Sequence, residues 1–84
     1  MRKPIEPTSI RILFGKNVRR ERRSREISQE ELAFRANISR TYVSEVERGL
    51  RNISIDNMED LSIALGVPLG DLLKFTPDVG KEAQ

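Results

Sequence analysis

Residues 29–48 decide the fold: Gln29-Glu-Glu-Leu-Ala-Phe-Arg-Ala-Asn-Ile-Ser-Arg-Thr-Tyr-Val-Ser-Glu-Val-Glu-Arg48. Two short amphipathic segments flank a three- to four-residue turn around Asn37. Leu32, Ile38, Val43 and Val46 sit where both segments face one core, and Ala33 is small where their axes cross. Ser28 precedes Glu31 by three residues, the spacing of a capping box: the Ser28 oxygen accepts from the Glu31 amide, and Glu31 reaches back to the Ser28 amide. This predicts a helix over 29–36. Asn37 tolerates the left-handed backbone that ends a helix. Ser39 caps a second helix over 40–48, which Gly49 ends.

Working outward, Thr8 or Ser9 caps a preceding helix over 10–23, with Ile10, Leu13, Phe14 and Val18 at inward spacing. A fourth helix begins near Ser54–Asp56 and runs to Leu65 with Met58, Leu61 and Leu65 inward; Gly66 closes it. Pro68 suits the first turn of a fifth helix over 68–74. Strand alternation, repeats and low-complexity tracts are absent from the sequence. The expectation is an all-α domain over 9–75, with residues 1–8 a loose arm and 76–84 a loose tail. Within it, 29–48 has the anatomy of a helix-turn-helix, whose second helix fits a major groove about 12 Å wide.

Composition narrows the chemistry. The chain has 84 residues, enough for one small domain, and no His, Cys or Trp. Disulfides, thiolate nucleophiles and His-based catalysis or metal binding are therefore excluded. Ser28, Ser39 and Ser44 serve better as caps or contacts than as nucleophiles. Asp56, Glu59 and Asp60 lack the spacing and glycine of a calcium loop. Neither an enzyme, a cofactor, a metal site nor a small-molecule ligand site is expected. No apolar run approaches the roughly 20 residues of a membrane span, and residues 1–9 lack the apolar core of a signal peptide. A cytoplasmic chain with no membrane partner is expected.

Charge is more telling than its total. The net value is only +2, yet residues 1–25 carry +7 and residues 26–84 carry −5. Such a split points to a polyanion approaching one side. On the second helix of the motif, positions 40, 41, 44 and 45 share a face. Arg40 is the first choice for base readout, because a guanidinium binds guanine O6 and N7 together, worth roughly 1–3 kcal/mol. Thr41 meets a thymine methyl or a phosphate, and Ser44 lies beside it. Glu45 accepts from cytosine N4, or else orients Arg40 or repels wrong sites. Tyr42 packs its ring at the core edge or gives its hydroxyl to a phosphate. Lys16, Arg19, Arg20 and Arg23 add diffuse attraction, distributed around the first helix.

The sequence also resembles the Cro/C1-type (XRE) helix-turn-helix family, which includes lambdoid phage repressors and restriction–modification controller proteins. The resemblance covers about residues 10–75. It rests on Phe14-Gly-Lys-Asn-Val-Arg-Arg20, Ser28-Gln-Glu-Glu-Leu-Ala33, Ser39-Arg-Thr-Tyr-Val-Ser-Glu-Val-Glu47, Gly49 and Ala64-Leu-Gly-Val-Pro68 in that order. Asn37 departs from the glycine common there, without disturbing the turn. The resemblance implies a sequence-specific regulator that binds double-stranded DNA as a homodimer on a quasi-palindromic operator. It implies backbone contacts from Gln29 and Tyr42, and contacts of Arg51 and Asn52 with the backbone or a neighbouring groove; Ser39 and Arg19 are added to the expected backbone contacts. It also implies a partly buried ion pair between Arg22 and Glu47. Leu69, Leu73 and Phe75 exceed what so small a core can bury and form the candidate dimer face, with Leu72 packed on the first helix. A two-fold dimer would read half-sites roughly 34 Å apart. The rival class is an antitoxin or adaptor that uses the same fold to bind a protein; steep salt dependence of DNA binding separates the two. Within the family, the resemblance to restriction–modification controllers is strongest in Arg40-Thr-Tyr-Val-Ser-Glu-Val-Glu-Arg-Gly49, and phage and chromosomal regulators use similar sequences.

Overall fold

A computed structural model describes residues 9–75, and the expected arm and tail at 1–8 and 76–84 lie outside the described residues. Five helices follow one another: α1 Ile10–Ser24, α2 Gln29–Ala36, α3 Arg40–Glu47, α4 Ile55–Leu65 and α5 Leu69–Leu72. Among the described residues there is no strand. The all-α architecture is therefore as expected.

Local chemistry explains most of the boundaries. The Ser28, Ser39 and Ser54 hydroxyls accept from the amides of Glu31, Tyr42 and Asn57, each three residues on. Every such cap satisfies an amide that the helix start leaves without a partner. Asn37 ends α2 at φ 60°, the left-handed conformation that its short side chain tolerates. Gly66 ends α4 at φ 75°. Three expectations need correction. The Glu31 carboxylate pairs with Arg35 Nε at 2.8 Å, one turn on, so only the serine half of the capping box forms. Ser9 is the residue before α1 but its side chain makes no capping bond. The last helix is a single turn over Leu69–Leu72, with Pro68 as its N-cap rather than within its first turn.

The core is built from Phe14, Val18, Leu32, Ala33, Ala36, Val43, Val46, Leu61, Leu65 and Leu72. α3 packs on both α1 and α2, and α2 packs on α4. The two helices of the motif are thus wedged between their neighbours, which leaves one side of α3 outward. Leu72 is fully buried as expected, whereas Ile10 is 53% exposed and stands outside the core that the period assigned it to. The inward face of α1 instead includes Gly15 and Asn17. Asn17 donates through Nδ2 to the carbonyls of Leu72 (2.9 Å) and Lys74 (3.0 Å), and its Oδ1 accepts from Arg20. A buried amide that finds partners in this way costs little, and here it ties α5 to α1 across 55 residues of chain.

Candidate nucleic-acid interface

The outward side of α3 carries the residues expected to read DNA. Arg40 and Thr41 are exposed, and Ser44 and Glu45 are half-buried. Gln29, Arg40, Thr41, Ser44 and Arg48 line one shallow recess. A second recess, lined by Arg19, Arg22, Gln29, Ser44, Glu47 and Arg48, shares three of those residues. Together they form a continuous groove along α3, between the N-terminus of α2 and the flank of α1. Gln29 thus stands at the junction of all three helices. Arg48 belongs to this groove and was not among the expected contacts. It lies one turn beyond Ser44 and two beyond Arg40, so the helical period carried to its end points to it.

The acidic side chains of this region are held by specific cations. Glu47 is buried, with its side chain 3% exposed. Its carboxylate accepts from Arg22 Nε (2.6 Å) and Nη2 (3.1 Å) and from Gln29 Nε2 (3.0 Å). The third arm of the Arg22 fork donates to the Ile27 carbonyl at 2.8 Å, pinning the link between α1 and α2. This planar, two-pronged match is the geometry at which arginine surpasses lysine. Because Glu47 also takes Gln29, the ion pair fixes the side chain that opens α2.

Glu45 does not orient Arg40. It accepts from Arg51 Nε at 2.8 Å, because the chain after α3 folds back on itself. There the Arg51 guanidinium lies over the Tyr42 ring, 4.6 Å from its centroid. Tyr42 packs at the core edge, and its hydroxyl accepts from Asn57 Nδ2 at 3.0 Å. Asn52 is exposed in the same loop. Ser39 spends its oxygen as the α3 cap and keeps a hydroxyl proton to donate.

Charge on the groove is therefore uneven. Glu45 and Glu47 are neutralised by Arg51 and Arg22. Arg19, Arg40 and Arg48 line the groove and form no ion pair among the described residues. No group of three acidic side chains suited to a metal ion occurs among the described residues. No described helix is long and apolar enough to cross a membrane.

A two-helix motif with a cation-lined outer helix defines a DNA-binding regulator of the helix-turn-helix class. The helix-turn-helix family model matches residues 18–72, which is most of the described domain. The chain belongs to this family, in its Cro/C1 (XRE) branch. The control protein C.BamHI of Bacillus amyloliquefaciens is 55% identical over 69 residues, covering 81% of this chain and 85% of the relative. The control protein C.MunI from a Mycoplasma species is 38% identical over 74 residues, covering 87% of this chain and 96% of the relative. The crystal structure of the restriction-modification controller protein C.AhdI from Aeromonas hydrophila is similar with a TM-score of 0.72 at 40% identity, covering 74% of this chain and 94% of that one. A hypothetical transcription factor from Neisseria is similar with a TM-score of 0.78 at 34% identity, covering the whole of this chain and 95% of the other.

Proposed function

We propose that the protein is a transcription regulator of the restriction–modification controller type, binding double-stranded operator DNA as a homodimer. The observation that carries this reading is the groove on α3. Arg19, Arg40 and Arg48 present uncompensated charge there, while the nearby carboxylates are already held. Phosphates supply most of the affinity to such a surface, and base edges supply the discrimination. Arg40, Thr41, Ser44 and Glu45 read bases. Gln29, Ser39, Tyr42, Arg51, Asn52 and Arg19 hold the backbone, and Arg48 joins them. Glu45 keeps Arg51 close to Tyr42, so those two meet the duplex as a unit.

The test begins with duplexes selected from a random pool by the wild-type protein. Arg40→Ala should lose about tenfold or more in discrimination between the selected site and random duplex, the value of one bidentate contact. Full discrimination by the variant would remove Arg40 from the readout set.

Leu69 and Leu73 are half-buried and Phe75 is 69% exposed, all beside the buried Leu72. We assign this surplus apolar surface to the homodimer. Phe75→Glu should shift sedimentation toward the monomer at micromolar protein and abolish preference for a two-half-site duplex over a single half-site. An unchanged dimer would move the interface elsewhere.

A further inference from the structure

We infer that Asn57, which lies outside the helix-turn-helix, is a positioning residue that sets the Tyr42 hydroxyl as a hydrogen-bond donor to phosphate. The inference rests on the Tyr42–phosphate contact of the proposed function and extends it to the residue behind that contact.

Tyrosine is the ambiguous group of the interface, since a phenol both donates and accepts. A phosphate oxygen only accepts. The contact is made only if the hydroxyl proton is left for the DNA. Asn57 Nδ2 donates to Tyr42 Oη at 3.0 Å and so occupies the accepting side of the oxygen from within the protein. The remaining proton meets no acceptor among the described residues and is free to meet an anion.

Two features hold this arrangement. Asn57 is the third residue of α4, and its own amide is fixed by the Ser54 cap at 3.1 Å. Its side chain therefore leaves a pinned backbone position. On the other side, the Arg51 guanidinium over the ring draws electron density from the phenol and strengthens its O–H as a donor. Hydrogen bond and cation act in the same direction. The helix after the motif thus reaches back 15 residues to choose the polarity of a contact made by the reading helix.

Asn57→Asp reverses the polarity at nearly constant shape. A carboxylate cannot donate to Tyr42 and instead accepts the hydrogen bond of its hydroxyl. An acidic residue in the first turn also suits the helix dipole, so α4 should remain folded. The added charge repels DNA by itself, which a double-mutant cycle with Tyr42→Phe removes. Binding to the selected duplex is the first readout. Tyr42→Phe should weaken it about tenfold in the wild-type background, as expected for one bond to a charged group, and less than about twofold in the Asn57→Asp background. Equal losses in both backgrounds would overturn the role of Asn57. No loss in either would overturn the Tyr42–phosphate contact itself, and the inference with it.

The second readout needs no DNA. The chain has a single tyrosine and no tryptophan, so its intrinsic emission reports Tyr42 alone. Asn57→Asp should quench that emission, because the excited phenol passes its proton to an accepting carboxylate. Unquenched emission would show that the hydroxyl does not face residue 57 as its donor partner requires, and the inference would fall.

Discussion

Arg22→Met should cost about 3–5 kcal/mol of folding stability, the loss expected when one half of a buried ion pair is removed. A chain of this size is stable by roughly 4–12 kcal/mol, so the loss is about a quarter or more of the total. The side chain of Glu47 is only 3% exposed, and Gln29 alone would remain to meet its charge. Burial without Arg22 is what makes the loss large, since the intact pair adds little beyond an apolar pair of the same shape. Removing both charges tests this directly. Arg22→Met combined with Glu47→Met should recover much of the loss, leaving a double variant more stable than Arg22→Met alone. Urea denaturation of the four proteins measures the cycle. A single variant within about 0.5 kcal/mol of the wild type would show that water already reaches Glu47 and that the pair is an ordinary surface contact.

The pair matters to function through its neighbours. Glu47 ends α3 and holds Gln29 at the start of α2. Arg22 comes from α1 and also holds the Ile27 carbonyl. A single carboxylate thus sets the register of the two helices of the motif against the basic helix beside them. The groove lined by Arg19, Gln29, Arg40 and Arg48 inherits its shape from that register. The double variant should consequently fold yet bind the selected duplex more weakly than the wild type.

What the sequence revealed and what it hid follow one physical division. Serine caps act over three residues, so Ser28, Ser39 and Ser54 are legible as letters in a row. The left-handed turn at Asn37 is equally local. The face of α3 that bears Arg40, Thr41 and Ser44 follows from a period of 3.6, and so does Arg48 once the period is carried to the end of the helix. Contacts set by the course of a loop are not periodic. Arg51 returns to Glu45 only because the chain after Gly49 doubles back, and Gly49 adopts φ 75° to begin that turn. The single-turn α5 is tied to α1 by Asn17, which donates to the carbonyl of Leu72 at its end and to that of Lys74 beyond it, bonds no local pattern announces. Hydrophobic periodicity also misassigns α1, because a glycine and an asparagine fill inward positions where an apolar residue is expected.

That glycine gives the last expected result, one whose sign opposes helix propensity. Gly15 lies within α1, where Gly→Ala ordinarily stabilises by about 1 kcal/mol. Here a methyl group would stand 2.2 Å from the carbonyl oxygen of Val46 and 2.9 Å from that of Glu47. Both atoms are backbone at the end of α3, so no side-chain rotation makes room. Either α1 and α3 separate or the end of α3 unwinds. Both routes loosen Glu47 from Arg22 and Gln29. The net loss should be about 3 kcal/mol, the upper range for an overpacked core. For a domain of this size that lowers the melting temperature by roughly 12–24 °C. Gly70→Ala is the control, because a methyl group there meets nothing within 4 Å. It should melt within about 4 °C of the wild type, the shift that corresponds to at most 1 kcal/mol. Calorimetry on the three proteins decides the matter. If Gly15→Ala melts at or above the wild type, α1 and α3 are not held at the close approach that the groove requires, and the placement of the reading helix must be redrawn.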